Sequence, residues 1–123
     1  MPTLIACVST GKGTWTEVNK IIASPQWDKV FLITNKFGQE NFNPGKAQFV
    51  LIDNFAEIIL MVEQIKKQLN GKIFDFEVAL NLASGSGNEH MAVLESVLEL
   101  GLNFRLVTIN KEGKMISLGL ERN

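Results

Sequence analysis

Unbroken apolar runs alternate with helically spaced apolar positions along most of this chain. Leu4 to Val8 is a continuous apolar run, the pattern of a strand covered on both faces. Thr14 then opens a helix, with Glu17 three residues on as a capping box. Trp15, Val18, Ile21 and Ile22 give that helix one apolar face, and Pro25 stops it. Val30 to Ile33 predicts a second buried strand and Phe49 to Ile52 a third. Between them, Asn35 to Gly45 is rich in Asn and Gly and holds Pro44, which predicts a long loop with room for one helical turn.

Asn54 and Glu57 form a second candidate capping box. Phe55, Ile58, Ile59, Val62, Ile65 and Leu69 follow at helical spacing, and Asn70-Gly71 stops the helix. Phe74 to Leu82 predicts the fourth strand. A third helix is expected from about Asn88 to Leu100, with Met91, Leu94, Val97 and Leu98 turned inward and Gly101 at its end. Phe104 to Ile109 predicts a fifth strand. Lys111-Glu112-Gly113-Lys114 is a hairpin turn into a sixth, edge strand, where Ile116, Leu118 and Leu120 alternate.

This alternation predicts an α/β fold, a Rossmann-like three-layer sandwich around a mostly parallel sheet of about six strands with a C-terminal antiparallel hairpin. The usual doubly wound order sets strands one and four side by side, where the direction of strand addition reverses. Three helices cover such a sheet incompletely. The segment Asn35 to Gly45 and a partner subunit are expected to supply the rest, most simply in a two-fold homodimer.

Composition narrows the functional classes. The length fits one domain over residues 1–123, and 46% apolar with 20% charged residues describes a chain able to build a core. A net charge of −1 argues against coating duplex nucleic acid but leaves room for a small nucleotide in a local pocket. Cys7 is the only cysteine, so no intrachain disulfide can form, and it reads as a buried thiol in a reducing compartment. His90 is the only histidine, which disfavours a metal cluster. No basic, apolar leader or membrane-length apolar run is visible, so the expectation is a soluble cytoplasmic protein that needs neither membrane nor cofactor.

Two glycine turns carry the candidate chemistry. Ser9-Thr10-Gly11-Lys12-Gly13-Thr14 follows the first strand, and Ser84-Gly85-Ser86-Gly87-Asn88 follows the fourth. Each is a strand-turn-helix step, where open backbone N–H groups favour an anion. Ser9, Thr10, Gly11, Lys12, Ser84, Gly85, Ser86, Gly87, Asn88 and His90 are the candidate ligand contacts. The same residues also have plainer readings: glycines that permit tight turns, a Ser86–Glu89 capping box, a solvated Lys12, a cap-adjacent His90. Asp53 reads as a cap for the second helix, Asn81 as a brace between the turns, and Trp27, Phe37 and Phe42 as packing residues. Neither Gly-x-Gly-x-x-Gly nor a Gly-Lys-Ser/Thr loop is present, and Gly-x-Ser-x-Gly is met at neither serine, so no dinucleotide fingerprint, Walker loop or hydrolase elbow is predicted.

The order of elements, with Ser9-Thr10-Gly11 after strand one and Asn81-Leu82-Ala83-Ser84-Gly85-Ser86-Gly87-Asn88-Glu89-His90-Met91 after strand four, resembles the CRISPR-associated Rossmann-fold (CARF) domains. The resemblance covers nearly the whole chain in layout and about twenty residues in motif. It implies a homodimer that binds a cyclic oligoadenylate across its two-fold axis as a nucleotide sensor in antiviral defence, with Ser9, Thr10, Ser84, Gly85, Ser86 and Asn88 as contacts. Asn88, Glu89 and His90 stand where that family commonly carries a basic residue, and no C-terminal effector domain is expected. Whether such a ring would also be cleaved without a metal is left open, as are a structural or regulatory subunit with no nucleotide ligand and an enzyme acting on another phosphorylated molecule.

Overall fold

The computed structural model describes residues 2–9 and 12–119, with the backbone alone at Lys12. Five parallel strands and one antiparallel strand form a single sheet. They are β1 (Thr3–Cys7), β2 (Lys29–Thr34), β3 (Gln48–Leu51), β4 (Glu77–Asn81), β5 (Asn103–Ile109) and β6 (Met115–Ser117), in the order β3-β2-β1-β4-β5-β6. Leu4 pairs with Val30 on one side and Ala79 on the other, so β1 and β4 are neighbours at the switch point. β6 returns antiparallel to β5, with Thr108 opposite Ile116. Leu120 lies outside the described residues. The molecule is a Rossmann-like α/β sandwich, as the alternating pattern implies.

The strands sort their side chains by parity. Ile5, Cys7, Phe31, Ile33, Val78 and Leu80 pack on one face, against α3 (Ile58–Leu69) and α4 (Gly87–Glu99). Leu4, Ala6, Val8, Val30, Leu32 and Val107 pack on the other, with α1 (Trp15–Ile22) and Phe42, which follows α2 (Lys36–Asn41). The parity follows from the two-residue period of a strand.

Several local expectations are corrected. The helical turn allowed for within Asn35 to Gly45 is a helix of six residues, and the loop is shorter than expected: Asn35 caps α2, its Oδ1 accepting from the Gly38 N–H at 3.0 Å. Gly38 is needed because a Cβ there would collide with Thr34 Oγ1. Thr14 and Glu17 form no capping box. Lys12–Thr14 is a short 3₁₀ turn, and Thr14 makes no side-chain cap bond. Nor do Asn54 and Glu57. Helix α3 starts four residues after Asn54, and Asp53 closes the turn before it by accepting from the Phe55 N–H. Phe55 and Ile59 are therefore exposed. On α4 the inward residues are Glu89, Ala92, Val93, Ser96 and Val97, while Met91 and Leu98 face outward. Close approach to the sheet selects small residues there, which an apolar pattern does not score. Strand β4 is shorter than Phe74 to Leu82, and Phe74 and Phe76 lie exposed before it.

Candidate functional site

Adjacent parallel strands β1 and β4 send their chains to opposite faces, β1 to α1 and β4 to α4. The crevice at that reversal is where open α/β sheets hold ligands. Ser9 leaves β1 there and Asn81-Leu82-Ala83-Ser84 leaves β4. Ser9, Asn81, Ser84 and Glu89 are all buried at this end of the sheet.

Glu89 is the residue that ties the two turns. Its Oε1 accepts from the Ser86 N–H at 2.6 Å and from the Ser9 hydroxyl at 3.3 Å. Ser86 Oγ in turn accepts from the Glu89 N–H at 3.2 Å, completing the capping box the sequence predicts. A buried carboxylate thus sits at the α4 N-terminus, where the helix dipole favours negative charge. The sequence showed Glu89 as a capping residue but not its reach across to β1, since nothing in a linear pattern reports contact with residue 9.

Ser84 is 2% exposed, and its hydroxyl has no hydrogen-bond partner among the described residues. Its carbonyl accepts from His90 Nε2 at 2.8 Å. A carbonyl can only accept, so Nε2 carries a proton and donates it to this bond. Gly85 lies between them at φ +104°, and a Cβ there would stand 3.1 Å from Glu89 Oε1 and 3.2 Å from His90 Nε2. Ser86, Gly87 and Asn88 are exposed. The N–H groups of Gly87 and Asn88 open the helix, where no preceding turn can accept from them.

Thr10 and Gly11 lie outside the described residues. Ser9, just before them, is held from α1: Trp15 Nε1 donates to the Ser9 carbonyl at 3.2 Å, and the Trp15 ring packs edge-on to Phe42 at 5.2 Å. Trp27 is also a packing residue, buried and donating to the Ile21 carbonyl at 2.7 Å. Phe37 leans on Trp15 at 6.1 Å.

Asn81 braces a second network on the α1 face. Its Nδ2 donates to the Val107 carbonyl at 2.9 Å and to Glu17 Oε2 at 3.4 Å, and its Oδ1 accepts from the Ala83 N–H at 3.3 Å. Thr108 Oγ1 donates to the same Glu17 oxygen at 3.2 Å. Glu17, freed from capping, joins α1 to the C-terminal ends of β4 and β5.

Cys7 lies under Gly85, its Cβ 3.5 Å from where a Gly85 Cβ would stand. Burial pushes its thiol pKa far up, and the neighbouring Glu89 carboxylate adds to the rise. The thiol is therefore protonated and inert at neutral pH. Among the described residues no group of His, Cys, Asp and Glu could hold a metal ion.

No family model matches the chain, and no curated protein does. Among solved structures it is similar to the crystal structure of protein VC1899 from Vibrio cholerae, with a TM-score of 0.65 and 12% identity over 98% of this chain. The chain spans 34% of the length of that protein. At that identity the likeness carries the fold alone. No helix among the described residues is long and apolar enough to cross a membrane.

Proposed function

We propose that this chain is a homodimeric nucleotide-sensing domain that takes a cyclic oligoadenylate-type ligand at the C-terminal ends of β1 and β4. The observation that carries the reading is Ser84. A buried hydroxyl without a partner costs the fold about 1–3 kcal/mol, and one without a partner among the described residues supports a role for a group from outside the chain, a ligand, an ion or a water. This one lies at the switch point, beside the exposed Ser86 and the N–H groups that open α4 and have no acceptor within the helix. Those donors suit phosphate oxygens and ribose hydroxyls. The resemblance of both turns to CARF motifs supplies the ligand class.

Binding is the activity proposed. His90 spends Nε2 on the Ser84 carbonyl, and the buried Glu89 carboxylate is already bonded to Ser86 and Ser9. A cleaved ring would need a ribose 2′-OH placed in line by the protein, with the turn donors stabilising the charge that develops.

One observation favours a second reading, a structural or regulatory subunit. Glu89 places the chain's own carboxylate at the α4 N-terminus, which partly fills the place an anion would take. Calorimetric titration with cyclic oligoadenylates of several ring sizes separates the two. Saturable heat at one ring per dimer is the expected result, and chromatography of the mixture then reports cleavage. No heat with any ring overturns the sensor reading in favour of the subunit.

A further inference from the structure

We infer that Glu17 is a specificity-determining residue of this site, a fixed acceptor for the exocyclic amine of a nucleobase. The inference rests on the sensor reading above and adds to it the feature of the base that is read. Glu17 sits in the first turn of α1, half-buried, at the C-terminal edge of β4 and β5. Two donors from different strands, Asn81 Nδ2 and Thr108 Oγ1, converge on its Oε2. Its Oε1 accepts from no described residue. An ionised carboxylate is an acceptor only, so a ligand meeting Oε1 must bring a donor.

The position links Glu17 to the turn that would bind the sugar-phosphate ring. Asn81 holds Glu17 with one end of its amide and the Ala83 N–H with the other, and Ala83 is next to Ser84. Ser84 Oγ and Glu17 Oε1 thus belong to one connected end of β4, one without a partner among the described residues and the other offering an acceptor. A glutamine at this position could still accept from Asn81 and Thr108 through its carbonyl oxygen. Glutamine would then turn its NH₂ to the ligand and reverse the polarity of the contact.

That reversal is the test. The dissociation constants of a cyclic oligoadenylate, and of the same ring with each adenine amine replaced by hydrogen, are measured by calorimetry for wild type and Glu17→Gln. Wild type should prefer the amine-bearing ring by about tenfold, the scale on which an unpaired site group is penalised, and Glu17→Gln should lose or invert that preference. Thr108→Val, which removes one of the two donors fixing the carboxylate, should reduce the preference without inverting it, and it reads the same contact if Glu17→Gln fails to fold. Equal affinity of wild type for both rings overturns the inference, as does an equal weakening of both by Glu17→Gln; in either case the sensor reading stands. If wild type binds neither ring, the sensor reading has failed and this inference falls with it.

Discussion

At the C-terminal end of the sheet, Ser9, Asn81, Ser84 and Glu89 are polar and buried. At the N-terminal end of β4, Phe74 is 80% and Phe76 92% exposed, while Lys29 stands 5.1 Å from the centroid of the Phe74 ring. Both ends depart from the rule that apolar groups go inside, but in opposite senses. The exposed aromatics leave burial energy unused and put no polar group at risk. The buried polar end is held by specific bonds, so a single lost partner there leaves a charge or a donor stranded. The comparison therefore predicts brittle behaviour at the first end and tolerance at the second.

Gly85→Val should have the largest effect. Its φ of +104° is in the left-handed region, and the new Cβ would press on both Glu89 Oε1 and His90 Nε2. Together these cost about 3–4 kcal/mol, read as a shift in the urea unfolding midpoint. A loss below about 1 kcal/mol would mean that the turn relaxes, and that this end is not brittle.

Glu89→Ala comes next, at about 2 kcal/mol. It removes the capping box and leaves the Ser9 hydroxyl and the Ser86 N–H without their acceptor. Glu89→Gln keeps an acceptor for both and should recover more than half of that loss in the same unfolding assay. Equal losses in the two variants would show that the charge at the helix start matters more than the bonds.

These expectations mark the boundary of what a linear pattern holds. The alternation of strands with helices and the Ser86–Glu89 box were legible, because strand parity and cap spacing are local signals, whereas the strand order with β1 beside β4 rests on the usual doubly wound arrangement and is read only in the sheet itself. The capping roles of Thr14–Glu17 and Asn54–Glu57 were not, since competing partners won. Glu17 found Asn81 and Thr108, and the turn after Asp53 closed before the helix began. Helix α2 was legible only as room for one turn, because its buried residue is Gly38, selected by contact with Thr34 rather than by helix preference. At the site, the candidate residues were visible as a glycine turn, but the β1–β4 bridge through Glu89 and the lack of a partner at Ser84 exist only in three dimensions.

Cys7 gives a smaller effect, with a definite sign. Its folded pKa is raised, so above about pH 8.5 the unfolded chain releases a thiol proton that the folded chain retains. The unfolded state then binds fewer protons, and stability falls as pH rises, by up to about 1.4 kcal/mol per unit. The chain has no tyrosine, which keeps the interval from pH 8.5 to 9.5 comparatively clear of other titrations. Unfolding free energy measured across that interval should slope downward in wild type and lie nearly flat in Cys7→Ala. A slope that survives in Cys7→Ala would assign it to another group.

The smallest effects come from restoring the inside–outside rule at each end. Phe76→Ser replaces an exposed ring with a polar group and should change stability by less than about 0.5 kcal/mol. Ser84→Ala removes a buried hydroxyl that has no partner among the described residues, so it should stabilise the fold, by about 1 kcal/mol. If Ser84 contacts a ligand, the same change must also weaken binding, because the donor that costs the apo fold is the one the ligand would satisfy. Thermal melting and calorimetry on one preparation read both quantities. A more stable protein with weaker ligand binding identifies Ser84 as a group retained for function at the expense of the fold. A less stable protein would show that Ser84 has a structural partner after all, and the contrast between the two ends of the sheet would then reduce to packing.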